Sequence, residues 1–281
     1  AHADPSSLIS AGAEPARCSQ TREPRQTPRP TDQQRSASDI QHQNSCLAEK
    51  ESAQCPETMR SEETLFPAYW WGTAIDDVAE RPNVATYGRY GFEPLPPLPF
   101  QMLGEFDWLI NRASHMSHIG QEKAAMNRVS LTALRECSAK LGLKLPEPFV
   151  KFVDSPTLHE KVRSTTDCFL DVCPELIPSP LGQGYLARFL ADSQGCVFWY
   201  LFLTPVGSDH AVVSSPGFYG TAAEEWQEEK PDASEIVFCE ESFEAFMCRF
   251  WLENEICFSQ FNSTPLLEVG RTYLQQYRNR P

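Results

Sequence analysis

Large apolar side chains are almost missing from residues 1–60 and become dense from Leu65 onward, where all six Trp and all seventeen Phe lie. Within the apolar part the spacing changes period twice. Phe106, Leu109 and Ile110 predict a helix over 105–114. Ser130 is a good N-cap for a second helix, in which Leu131, Leu134, Cys137 and Leu141 recur at helical spacing until Gly142 supplies a left-handed stop. A short helix over 147–153 follows, ended by Asp154-Ser155-Pro156. Strands then come as a cluster. They are 166–172, then 185–190 with Tyr185, Ala187 and Phe189 alternating against Leu186, Arg188 and Leu190, and then 196–203, 211–214 and 235–239. The 196–203 stretch is apolar at every position, the mark of a central strand covered on both faces. Two helices close the chain. Ser242 caps the first, with Phe243, Phe246, Met247, Phe250 and Trp251 as an aromatic stripe; Thr264 caps the second, with Pro265 at its first position and Tyr273, Leu274 and Tyr277 on its apolar face.

Helices, a run of strands and helices again predict an α+β fold: a central, mainly antiparallel sheet of about five or six strands flanked by N- and C-terminal helices. Asp192-Ser193-Gln194-Gly195 and Gly207-Ser208-Asp209 are hairpin-grade turns, which makes consecutive strands antiparallel neighbours. Three segments are expected: a disordered extension over 1–60 rich in Pro, Ser, Gln and Arg, a helical and proline-rich cap over 61–129, and the α+β domain over 130–281. The first Met is Met59, so initiation there is one expectation and a genuine disordered tail the other. Between Phe92 and Phe100 the proline density reads as an extended connector, either packed down by its flanking phenylalanines or offering Pro96-Pro97-Leu98-Pro99 to an aromatic groove.

Charge and cysteine content narrow the function classes. The net charge is −14 and lies mostly in the apolar-rich part, which disfavours nucleic acid and favours a basic protein partner. No stretch is long enough for a membrane helix, and no signal pattern opens the chain, so a cytoplasmic location is expected. Of the ten cysteines, Cys137, Cys196, Cys248 and Cys257 sit inside apolar periodic segments, as reduced cysteines do.

Candidate chemistry is sparse. His115 and His118 form an H-x-x-H pair without a further ligand at a supporting spacing, and are expected as solvent-exposed helix histidines rather than a metal site. Cys168 and Cys173 lack a second ligand pair. Cys168 or Cys196 can be combined on paper with His159 or His210 as a cysteine hydrolase, without a convincing base. Gly182-Gln183-Gly184 precedes a strand, which makes it a turn rather than a phosphate loop. No catalytic residue, metal ligand or cofactor is assigned. The most promising feature is acidic: Glu224, Glu225, Trp226, Glu228, Glu229 and Asp232 surround one large aromatic with carboxylates, an arrangement that steers and then anchors a basic partner. The alternative is a solvated loop whose Trp226 packs on the body of the domain.

The region from Ser130 to Arg280 resembles the SUKH superfamily of bacterial immunity proteins and fungal regulators of cell-wall glucan synthesis. The residues that carry the resemblance are Leu141-Gly142-Leu143-Lys144-Leu145-Pro146 followed by Phe149-Val150-Lys151-Phe152, then Gly195-Cys196-Val197-Phe198-Trp199-Tyr200, then Glu241-Ser242-Phe243-Glu244-Ala245-Phe246 opening a helix. Asp154-Ser155-Pro156 stands where family members commonly have an Asn-Gly turn, which marks a divergent member. The resemblance implies protein binding without catalysis. In the immunity branch the partner is a toxin, often a nuclease, and an acidic inhibitor suits a basic nuclease. The rival expectation is an intracellular scaffold or regulator.

Overall fold

The central strand predicted at 196–203 forms over Phe198–Leu203, with every residue buried, and the rest of the chain is arranged around it. The computed structural model describes residues 65–76, 78, 81, 87–92, 95–204, 210–220 and 231–278. In chain order the elements are β1 (Tyr69–Gly72), β2 (Gly88–Gly91), α1 (Asp107–Ile110), α2 (Ala124–Lys140), α3 (Glu147–Asp154), α4 (Pro156–His159), β3 (Phe169–Leu170), β4 (Ile177–Pro178), β5 (Tyr185–Ala191), β6 (Phe198–Leu203), β7 (His210–Ser215), β8 (Val237–Glu240), α5 (Phe243–Phe261) and α6 (Glu268–Arg278). β3 to β8 form a six-stranded antiparallel sheet in the order β3-β5-β6-β7-β8, with β4 also on β5, and helices flank it: an α+β fold.

Alternation on the strands builds two cores, one on each sheet face. Ala187, Leu201, Trp199, Val212 and Val237 point toward α5 and join the larger core. Leu186, Phe202, Tyr200, Phe198 and Val213 point the other way and meet Phe66, Tyr219 and Ile236. The period-2 pattern of β5 breaks once. A bulge between Arg188 and Leu190 pairs Leu190 with Trp199, so Leu190 joins Phe189 on the α5 side instead of continuing the face of Leu186 and Arg188.

α5 is buried on nearly all sides because the sheet, α3 and α6 all pack on it. Ser242 caps it, accepting from the Ala245 N–H at 3.2 Å. Phe243 stands edge-on to Phe149, Phe152 and Phe189, with ring centroids 5.2–5.7 Å apart.

Several predicted boundaries move. The helix expected over 105–114 is the single turn α1. α2 begins at Ala124, with Ser130 inside it, because 124–128 contains no breaker. Its buried stripe is Asn127, Leu131, Leu134 and Ser138; Cys137 is half-buried and Leu141 43% exposed. Asn127 belongs inside because its amide donates to the Leu170 carbonyl at 2.9 Å and accepts from the Val172 N–H at 3.0 Å. Thr264 closes α5 instead of opening α6: its N–H donates to the Ser259 carbonyl at 2.9 Å, after Ser263 takes a left-handed conformation. Gly142 is the left-handed stop expected of it, with φ of 70°.

The segment 61–129, expected as a helical and proline-rich cap, also contains the two-stranded ribbon β1–β2. The ribbon joins the sheet, since Ala68 bridges Phe238 in parallel and the Phe238 N–H donates to the Pro67 carbonyl at 2.8 Å. The proline-rich connector is packed down, with Leu95 and Pro96 buried.

A buried polar network stitches these pieces together. Glu253 of α5 accepts from Trp70 Nε1 at 2.6 Å, from Arg81 Nη1 and Nη2 at 2.8 Å each, and from the Tyr273 hydroxyl at 2.9 Å. Arg249, one turn earlier, donates to Glu240 at 2.6 Å, the Pro96 carbonyl at 2.9 Å and the Tyr273 hydroxyl at 3.0 Å. Burial pushes the Glu253 carboxyl up, but Arg81 and Arg249 outweigh it and hold the group below the ordinary carboxylate range. Glu253→Gln leaves Arg81 buried without its counter-charge. The expected loss of stability is about 3–5 kcal/mol, read as a lower urea midpoint with an unchanged slope; a midpoint within error of the parent would show that the network is dispensable.

Candidate functional site

The acidic segment singled out in the sequence connects β7 to β8. Glu224, Glu225, Trp226, Glu228 and Glu229 lie outside the described residues, whereas Asp232 and both flanks of the segment are described. Asp232 is exposed and turns the chain into β8. Its carboxylate accepts from the Ser234 N–H at 2.9 Å and the Ser234 hydroxyl at 2.8 Å, bonds that hold the carboxyl below its ordinary range. Asp232 therefore keeps its negative charge in any physiological buffer.

The opposite flank, 215–220, is clamped to the second face of the sheet. The Tyr200 hydroxyl donates to the Gly217 carbonyl at 2.7 Å and accepts from the Tyr219 N–H at 3.0 Å. The Ser215 and Tyr219 hydroxyls share a bond of 2.8 Å. Gly220 takes a φ of 117° and comes so close to Cys173 that a Cβ there would overlap the Sγ. The clamp turns on Arg188, 5% exposed in mid-strand. Its Nε donates to Asp171 at 3.1 Å and its Nη1 to the Tyr219 carbonyl at 2.5 Å, and its guanidinium lies 3.8 Å from the centroid of Phe218. Asp171 is held in turn by Lys123 at 2.8 Å. Sequence alternation put Arg188 on one strand face; what identifies its role is the pairing with Asp171, which no local pattern reveals.

The other candidate residues are engaged elsewhere. Cys168 is fully buried, with its Sγ 2.7 Å from the Tyr87 hydroxyl, and burial pushes the thiol up to about 11, so it is protonated at neutral pH. His159 is pushed down to about 4 by burial and its Nε2 bonds the Phe152 carbonyl at 2.6 Å. His210 Nε2 accepts from the Phe243 N–H at 3.1 Å, so it helps to cap α5. The Cys196 N–H donates to Asp192 at 3.1 Å in the β5–β6 hairpin. His115 and His118 lie in the loop 111–123 and not on a helix; the imidazole of His115 faces Glu255 at 3.6 Å. Gly182 and Gly184 both have positive φ in the turn between β4 and β5, closed by a 3.0 Å bond from the Ser179 N–H to the Gly184 carbonyl. Among the described residues no three His, Cys, Asp or Glu side chains converge on a metal-sized site, and no helix is long and apolar enough to cross a membrane. None of the seven described cysteines is in a disulfide.

The arrangement thus presents a carboxylate-rich segment between a flank clamped to the sheet at 215–220 and an exposed local turn at Asp232–Ser234 that enters β8. Arg188→Met keeps bulk on the strand face but releases the Tyr219 carbonyl, and hydrogen exchange at 217–220 is expected to accelerate by about tenfold, equivalent to the loss of one charge-assisted hydrogen bond. Unchanged protection there would mean that Tyr200 holds the flank alone.

No family model, no curated protein and no solved structure matches the chain.

Proposed function

We propose that the chain is a SUKH-like protein-binding domain, an immunity protein that uses the carboxylates of Glu224, Glu225, Glu228, Glu229 and Asp232, with Trp226 among them, to neutralise a basic, nuclease-type toxin in the cytoplasm. The observation that carries it is the mounting of this acidic segment. Its 220 side is anchored by Arg188 and Tyr200, and its 232 side turns on Ser234 into a sheet strand. A charge cluster tethered at both ends to the sheet, and clamped at one of them, gives up less freedom on association than one at the end of a long tail.

Two further facts support the assignment. The segments that resemble the superfamily meet in space: Phe149 and Phe152 pack on Phe243 with centroids 5.3 and 5.7 Å apart, and Trp199 lies 6.1 Å from Phe246. The net charge of −14 suits association with a protein built to grip phosphate. The divergent Asp154-Ser155-Pro156 turn leads straight into α4 and pairs Asp154 with Arg135 at 2.8 Å, so the departure from the family's Asn-Gly is a local change of connection. The second reading, an intracellular scaffold or regulator, shares the binding surface and differs in the partner.

The test is capture of partners from source-cell lysate on the full chain at low and high salt, followed by nuclease assays of the captured protein with and without the chain. The expected outcome is one basic nuclease that elutes with salt and is inhibited by the chain, with binding weakened at least tenfold by neutralising Glu224, Glu225, Glu228 and Glu229 to Gln. A salt-resistant set of non-nucleases, indifferent to that substitution, would replace the immunity assignment with the scaffold.

A further inference from the structure

The loop 111–123 between α1 and α2 is held to the neighbouring chain by main-chain bonds. The His115 N–H donates to the Glu160 carbonyl at 2.7 Å, the Ile119 N–H to the Val162 carbonyl at 3.0 Å, and the Leu170 N–H to the Ile119 carbonyl at 2.7 Å. Three histidines gather where it docks. His159, 5% exposed on α4, places its Nε2 2.6 Å from the Phe152 carbonyl. A carbonyl only accepts, so Nε2 carries the proton and Nδ1 is the bare nitrogen. Gly120 of the loop lies directly on that side of the ring, and a Cβ at position 120 would overlap Nδ1. A second proton would therefore have to form on the side of the ring that Gly120 crowds.

Burial and His118 oppose that charge; the Phe152 carbonyl and the adjacent Glu160 favour it and are outweighed. His118, on the same loop, has its Nδ1 buried without a hydrogen-bond partner among the described residues, and a charge on its ring opposes one on His159. His115 faces Glu255, but that carboxylate is already taken by Arg163 through Nε at 2.8 Å and Nη2 at 2.9 Å, and His118 opposes a charge on His115 as well. The remaining carboxylates are the half-buried Glu160, next to His159, and the exposed Glu122 and Asp167, which line a small polar cleft with His118. Exposed carboxylates are screened by water.

We propose that the loop 111–123 is an acid-sensitive latch: protonation of His159 drives Gly120 off its ring and frees the loop, while the sheet and α5 stay folded. Ile119, buried in the core, keeps the latch closed at neutral pH. The closed form, in which burial holds His159 near 4, refuses a proton that the open form accepts near 6.5. The contribution to closure is therefore complete above pH 6.5 and is lost as pH falls toward 4. If the freed ring titrates normally, the opening constant rises about twentyfold between pH 7 and pH 5.

Hydrogen exchange followed by mass spectrometry on the full chain tests this, with rates corrected for the intrinsic pH dependence. Exchange over 113–123 is expected to accelerate about twentyfold from pH 7 to pH 5 while α5 keeps its protection. His159→Gln, whose amide donates to the Phe152 carbonyl without titrating, is expected to abolish the acceleration. Gly120→Ala, which wedges a methyl against the same ring, is expected to open the loop already at pH 7. Protection of 113–123 that holds to pH 5, that falls in step with α5, or that still responds to acid in His159→Gln overturns the proposal.

Discussion

One carboxylate holds the N-terminal ribbon and its connection to the C-terminal helices. Glu253 sits fully buried in α5 and receives bonds from Trp70 on the ribbon, Arg81 between the ribbon's two strands and Tyr273 on α6. A buried charge of this kind is tolerable only when paired and saturated with hydrogen bonds, and the three elements that supply those bonds are thereby fixed relative to α5. Arg249 and Glu240 extend the same logic to the end of β8 and to the proline-rich connector. The aromatic core supplies cohesion without direction, whereas this network allows one arrangement of the ribbon, the connector and α6.

The second sheet face repeats the device around Arg188. There a buried guanidinium is matched by Asp171 and by the Tyr219 carbonyl, and the loop it secures leads into the acidic segment. The two faces thus have different tasks. One locks helices and ribbon onto the sheet; the other fixes the flank of a charged connection between β7 and β8.

Much of the fold was legible in the sequence because it depends on local signals. The wholly apolar run of β6, the Ser242 cap and the left-handed Gly142 each announce their element through residue types that serve few other purposes. The parts that were not legible depend on pairing across long sequence separations. Asn127 looks like a surface residue until Leu170 and Val172 present their backbone groups to it. Thr264-Pro265 has the chemistry of a helix start, yet the Thr264 N–H is taken by the end of α5. The ribbon strands are four residues each and end in glycine, too short to give a period. At the candidate site the carboxylates were evident from charge alone, but the clamp beside them was not, because a strand arginine reads as exposed until its partners are known.

The bridge between Ala68 and Phe238 also bears on how the molecule avoids its own kind. An uncovered β8 would offer the rim of a six-stranded sheet, with half-buried Phe238 beside it, to any other sheet in solution. The opposite rim is blunted by β3 and β4, which are only two residues long. The residues around Pro67 thus act as a selvedge, and a fragment beginning after the ribbon would trade a finished border for one prone to self-association and fibre growth.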